Sequence, residues 1–351
     1  MKKQVPLRAA GAVGNDRQKT SPSRGPYTGR VSTAGWFELA GFLVGLLFGS
    51  FLNVCISRLP EYESVVKPRS RCPDCGHPIR WYDNVPLVSW LMLRARCRDC
   101  GHRISWRYPA VELALGLWFL YVASKLEEHW AVNQPQVLEL LKAQGYRPDS
   151  IAHPIPLLIG LAFIGFLLIG LIVMDWQTQR LPDAFTLTGI AIGFVLTCVQ
   201  AWFLAPGQGD IVLNTTHQLR MSSPGSFQSR GNVFMTGTEA MVLGRIAAIL
   251  GAALILLIIR WVYKALRGQQ GMGMGDVKLL AMIAAFLGFS GSLVAFAVGV
   301  LTACVYALVL LATRRATAQS KLPFGSFLGI GGLFAALHAD QLVNWYLGFW
   351  R

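Results

Sequence analysis

The sequence predicts an all-α polytopic membrane protein of about eight transmembrane helices, carrying a zinc-binding loop of four cysteines on its cytoplasmic side. Three observations lead there. The 351 residues are 53% hydrophobic and only 14% charged, whereas soluble domains carry roughly 25% charged residues. The apolar residues gather into runs long enough for a hydrocarbon core, which takes about 20 helical residues to cross. Four of the seven cysteines fall into two C-x2-C pairs, the spacing of paired zinc knuckles.

The runs lie at about 36–56, 108–126, 154–174, 184–204, 239–260, 276–290, 292–312 and 322–338. Each must be helical, because an unpaired backbone group in lipid costs several kcal/mol. The sixth and eighth are short and rich in glycine. Residues 1–35, before the first run, form a basic Ser/Gly/Pro-rich tail whose composition predicts disorder. No small-residue cleavage site follows the first run, so it reads as a span and not as a cleavable signal.

Lysine and arginine near the span ends set the orientation. The segment 57–107 holds Arg58, Lys67, Arg69, Arg71, Arg80, Arg94, Arg96, Arg98, Arg103 and Arg107. Placing it in the cytoplasm also brings Arg180, Lys264, Arg267, Arg314, Arg315 and Lys321 inside, and leaves the charge-poor segments 127–153 and 205–238 outside. The basic tail opposes this assignment, but most of its charges lie far from the first span. The net charge of +14 would suit nucleic acid. Here the basic residues flank spans, so the partner they predict is the anionic surface of a lipid bilayer.

Cys72-x2-Cys75 and Cys97-x2-Cys100 repeat a longer pattern, CPDCGHPIRW at 72–81 and CRDCGHRISW at 97–106. In each copy a glycine, Gly76 or Gly101, follows the second cysteine where the chain must turn around a metal. Four thiolates leave no open coordination position, so the predicted ion is a structural zinc. Two disulfides are the competing reading, disfavoured in a reducing cytoplasm. His77 and His102 could each replace a cysteine as ligand, but their position favours packing beside the knuckles. Cys55, Cys198 and Cys304 fall in spans, where cysteine behaves as a small apolar residue.

Acidic residues at the spans are functional candidates, because a charge near the bilayer is expensive. Asp175 ends the third span and Asp276 begins the sixth, in GMGMGDVKLL. The orientation set by the basic residues brings both to the cytoplasmic ends of their helices. Two carboxyls held close do not both ionise readily, so one can serve as base toward water while the other donates a proton. Gly273 and Gly275 before Asp276 would allow close backbone approach. Asp183, after Leu181-Pro182, reads as a helix start favoured by the dipole. Lys278, Asp183 and Glu112 stand as possible supporting residues.

These motifs together resemble the bifunctional type IV prepilin peptidases, prepilin leader peptidase and N-methyltransferase. The resemblance spans most of 40–337. It rests on Gly49-Ser50-Phe51-Leu52-Asn53-Val54 with Arg58-Leu59-Pro60, and on the cysteine loop with Asp83-Asn84-Val85-Pro86 and Ser89-Trp90. Further on come Arg107-Tyr108-Pro109 with Glu112, Asp175 with Leu181-Pro182-Asp183, Gly273-x-Gly275-Asp276-Val277-Lys278-Leu279, and Leu322-Pro323-Phe324-Gly325.

The resemblance implies a membrane aspartic protease of the GxGD type in the bacterial inner membrane. Such an enzyme removes the basic leader of prepilins or pseudopilins, of pilus or secretion systems, at the cytoplasmic face. It then methylates the new N-terminus with S-adenosylmethionine. It implies Asp175 and Asp276 as the catalytic pair, a methyltransferase region over 36–126 that includes the zinc loop 57–107, and a peptidase domain over 154–338. No glycine-rich nucleotide loop marks a methyl-donor site in the sequence. Ser326 departs from the pattern, which commonly has a second proline there, and the segment 205–238 is longer than usual. Two other readings stay open: a peptidase without methylation, and an ion-coupled transporter, since intramembrane aspartates also mark ion paths. The sequence implies no oligomeric state.

Overall fold

A computed structural model describes residues 34–132, 155–208, 238–268, 271–313 and 322–349. Most of the basic tail, much of the segments 127–153 and 205–238, and Arg314, Arg315 and Lys321 lie outside the described residues. Helices dominate: α1 Ala34–Arg58, the short α2 Val88–Met92, α3 Arg107–Val132, α4 Ile155–Thr178, α5 Asp183–Gln208, α6 Thr238–Arg267, α7 Met274–Ala312 and α8 Phe324–Gly348.

Seven of these are long and apolar enough to cross a membrane, against the eight spans the sequence predicts. The protein is a multi-pass membrane protein. The difference in count lies wholly in α7, where the predicted sixth and seventh runs join without a loop. A straight helix of its 39 residues would be about 58 Å long, roughly twice a bilayer core. It is not straight. Gly288 sits at φ 76, ψ −175, a region essentially restricted to glycine.

The contacts on either side of Gly288 show that the chain folds back. Residue 283 meets Gly332 of α8. Beyond the break, Gly331 touches Ala295 and Gly299, Gly299 touches Leu328, and the Tyr306 ring packs tilted against Phe327. The first arm therefore climbs along α8 and the second descends it. Fourteen residues form the first arm, too few to cross a full core alone. The turn strands the last carbonyls of that arm, as every helix end does. Arg245 of α6 answers one of them, donating from Nη1 to Ala284 O at 3.3 Å.

α4 is the most apolar helix and the centre of the bundle, contacting α1, α3, α5, α7 and α8. Its Ile164, Leu168, Leu171 and Met174 are fully buried. Leu47, Leu250, Leu301 and Leu308 remain exposed on the outer faces, as a lipid-facing surface requires. α1 crosses α3 backbone to backbone. A Cβ on Gly45 would lie 2.6 Å from Leu115 O, and one on Gly49 2.6 Å from Glu112 Cα. Such a stripe of small residues at every fourth position is how helices approach closely in lipid.

The cysteine loop occupies one end of the bundle. At that end Arg107 Nη1 donates to Gln177 Oε1 at 2.6 Å and Nη2 to Ser57 Oγ at 3.2 Å, tying α3 to α4 and α1. Both candidate aspartates are found there.

Candidate active site and metal centre

Asp175 lies in the last turn of α4 and Asp276 in the first turn of α7, and both are buried. They converge around Leu181. The leucine's side chain would lie 3.0 Å from a Cβ on Gly275, the neighbour of Asp276, and equally 3.0 Å from one on Gly325, which adjoins Asp175. Leu181 thus lies between the two, with the Gly325 Cβ position 3.0 Å from Asp175 Oδ2 on one side and the Gly273 Cβ position 3.6 Å from Asp276 Oδ2 on the other.

Each carboxyl sits on the N-terminal turn of a helix. Asp276 is the third residue of α7, with the Gly273 backbone beside it. Asp175 reaches the third residue of α8, where Pro323 as N-cap brings no side-chain acceptor. The Ser326 N–H, which also lies 3.2 Å from Pro323 O, donates to Asp175 Oδ2 at 2.7 Å, and the Ser326 hydroxyl lies 3.0 Å from the same oxygen. Helix N-termini favour negative charge and offer free N–H donors. Two buried acids in an apolar bundle thus find partial compensation at helix N-termini.

The remaining candidates from the sequence divide. Asp183 opens α5 and accepts from Lys278 Nζ at 2.6 Å. The two bind each other across α5 and α7, with side chains 59% and 31% exposed. Glu112 is buried but belongs elsewhere: its Oε2 accepts from the Leu87 N–H at 2.8 Å, holding the cysteine loop on α3. Gly273 has φ −74, a value any residue adopts, so its glycine is not a conformational need. Gly275 is different, since a side chain there would press on Leu181.

Sequence reasoning did not single out Ser326 as a partner of Asp175, nor Gly325. The latter lies so close that its Cβ would meet Asp175 Cγ and Oδ2 at 3.0 Å. The Pro-Phe-Gly signature at 323–325 was the available signal. Without the fold nothing in it pointed at Asp175.

The cysteine loop is two matching knuckles. Gly76 N–H donates to Cys72 O and Gly101 N–H to Cys97 O, both at 3.0 Å. Gly76 and Gly101 have φ of 70 and 74, the left-handed region that favours glycine. Cys72 N–H and Cys97 N–H close each knuckle onto His77 O and His102 O. The four sulfurs all lie within 4.8 Å of one another, and Cys72 and Cys100 Sγ are 3.7 Å apart. A tetrahedral ion with bonds of about 2.3 Å to sulfur separates its ligands by about 3.8 Å. The cluster could hold a metal. Its cysteines are free thiols, and the Cys75 N–H draws the Cys72 thiol down to about 7. Arg98 clamps the second knuckle to Asp83, with nitrogens 2.6 and 2.9 Å from the two carboxyl oxygens, and holds that acid below the usual carboxylate range.

Comparison with known proteins bears on both sites. The family model of the Bacterial Peptidase A24 N-terminal domain matches residues 43–126, and that of the Type IV leader peptidase family matches residues 232–308. The prepilin leader peptidase/N-methyltransferase of Aeromonas hydrophila is 31% identical over 336 residues, covering 89% of this chain and 94% of the relative. The protein of the same name from Stutzerimonas stutzeri is 29% identical over 338 residues, covering 90% and 95%. That of Myxococcus xanthus is 35% identical over 290 residues, covering 81% and 67%. No solved structure matches the chain. Near-complete alignment at this identity places the chain in the prepilin leader peptidase/N-methyltransferase family.

Proposed function

We propose that this chain removes the basic leader from prepilins or pseudopilins by aspartic-protease chemistry and then methylates the new N-terminus. The observation that carries the peptidase reading is the convergence of Asp175 and Asp276, two buried acids from different helices, at one end of the bundle. One carboxyl takes a proton from water as the water oxygen attacks the scissile carbonyl carbon, and the other protonates the carbonyl oxygen. The buried setting excludes bulk water and strengthens each electrostatic contact. Asp183 and Lys278 brace α5 against α7 beside this pair, and Glu112 braces the cysteine loop.

In this reading the loop end faces the cytoplasm from the inner membrane, where a basic leader emerges; the lysines and arginines near the span ends support that orientation. The four cysteines hold a structural zinc that keeps the loop 57–107 folded. The region 36–126 carries the methyltransferase part and 154–338 the peptidase part. S-adenosylmethionine is the methyl donor. Ser50, Asn84 and four apolar residues line a shallow pocket of about 250 Å³ in the N-terminal region. Small-molecule sites are usually about 300–1,000 Å³ with several converging polar groups. The pocket does not fit a donor bearing a nucleoside and an amino acid, and no step of methyl transfer is assigned to it.

The test is incubation of the purified chain in detergent with a prepilin and a methyl-labelled donor. A shortened pilin carrying label at its new N-terminus supports both activities. A shortened, unlabelled pilin removes the methyltransferase half, and an uncut one removes the whole reading.

A further inference from the structure

Water activation by a pair of acids needs one acceptor and one donor, and the surroundings of the two carboxyls differ. Resting on the peptidase reading above, we propose that Ser326 is a positioning residue that holds Asp175 as the proton acceptor, leaving Asp276 as the donor.

Ser326 brings two donors to one oxygen. Its N–H, which also lies 3.2 Å from Pro323 O, donates to Asp175 Oδ2 at 2.7 Å, and its hydroxyl lies 3.0 Å from the same atom. Hydrogen bonds donated to a carboxylate favour its charged form. With Oδ2 occupied, Oδ1 is the oxygen left to face water. Asp276 has the Gly273 backbone beside it and no comparable pair of donors among the described residues.

The hydroxyl carries a single proton and has a second acceptor, Ile172 O, at 2.9 Å. It can donate to Asp175 while that group is charged, then turn to Ile172 O once Asp175 has taken a proton. Neither state strands a polar group, which matters because Ser326 is fully buried and an unpaired buried donor is costly.

The step balances. Water gives a proton to Asp175 Oδ1 as its oxygen bonds to the carbonyl carbon, and Asp276 gives its proton to the carbonyl oxygen. On collapse the C–N bond breaks, the Asp175 proton goes to the leaving nitrogen, and Asp276 recovers a proton from the diol. Proline has neither an N–H nor a hydroxyl, so the residue common at this position in the family pattern would supply neither contact.

Of the other charged groups that packed helices bring to this end, Lys264 and Arg267 lie in the exposed last turn of α6, and several more are engaged elsewhere. Lys278 and Asp183 bind each other, and Arg107 is held by Gln177 and Ser57. Arg58 donates to Ser64 O and Pro68 O, Arg180 reaches Pro60 O, and the first turn of α8 carries no acid.

The test is the pH profile of prepilin cleavage by the full chain in detergent. In Ser326→Ala the acidic limb of kcat/KM moves up by about one pH unit, the size of one charge-assisted hydrogen bond, with KM unchanged. In Ser326→Pro it moves further, and Ser326→Thr keeps the native limb. Ser326→Cys, a weaker donor of similar size, repeats the measurement if the alanine variant does not fold. A fall in kcat at every pH with the limb in place, or no change at all, overturns the proposal. Asp175→Asn is run alongside. If it cleaves at the native rate, the peptidase reading itself fails; if it is inactive while Ser326→Ala keeps the native profile, only the role of Ser326 does.

Discussion

Gly325 offers a sharp perturbation, because the structure fixes what a single methyl group would meet. An alanine Cβ there would lie 3.0 Å from Asp175 Cγ, 3.0 Å from its Oδ2 and 3.0 Å from Leu181 Cδ1. Ordinary van der Waals contact begins near 3.4 Å, so the carboxyl and the leucine must give by a few tenths of an ångström. Asp175 has little room to comply, since the Ser326 N–H holds its Oδ2 at 2.7 Å. Either that bond breaks or the α4–α8 packing opens, and both move Asp175 relative to Asp276. A misplacement of about 1 Å can cost about 100-fold in rate, so one of a few tenths costs roughly 5-fold, while overpacking costs about 1–3 kcal/mol of stability. Gly325→Ala should therefore fold, with a somewhat lower Tm, and cleave a prepilin roughly 5-fold more slowly. Gly244→Ala is the control, because nothing lies within 4 Å of its Cβ position. The assay is the initial rate of leader cleavage in detergent, with thermal unfolding measured on the same preparations. Native-rate cleavage by a folded Gly325→Ala would refute the packing argument.

Further outcomes follow from other parts of the molecule. Elemental analysis of the purified chain should give about one zinc per molecule, and chelation or Cys97→Ser should remove it and open 57–107 to limited proteolysis; a loop equally resistant with and without metal contradicts the metal's structural role. Gly288→Ala forces an L residue into the turn of α7 beside Arg245 and should cost about 1–3 kcal/mol, read as a lower Tm, whereas an unchanged Tm denies the tight turn. Lys278→Met removes an exposed ion pair worth about 0–1 kcal/mol, so near-native cleavage is expected; a loss as deep as that of a dyad variant would place Lys278 in the chemistry.

What the sequence revealed tracks the physics that leaves local marks. Lipid demands long apolar helices, so the runs at 36–56 and 154–174 surface as α1 and α4 with small shifts at their ends. Metal knuckles demand cysteines at fixed spacing with a glycine at positive φ, and the four sulfurs cluster as the repeat suggested. The fold-back at Gly288 left a weaker mark: two runs separated by a single residue, with no polar loop between them. Long-range partnerships left none. Ser326 lies 151 residues from Asp175, and Asp183 meets Lys278 across 95 residues. Glu112, an acid at a span edge like Asp175, differs only in what the fold brings to it, the Leu87 N–H of the cysteine loop in place of a second carboxyl.

The central claim is that Asp175 and Asp276 work as one unit, and paired substitutions measure it most directly. Asp175→Asn, Asp276→Asn and the double variant are purified in detergent and given the same prepilin. The account predicts that each single variant binds the substrate yet cleaves it no faster than the double variant does. Cleavage by either single variant at the native rate would contradict it.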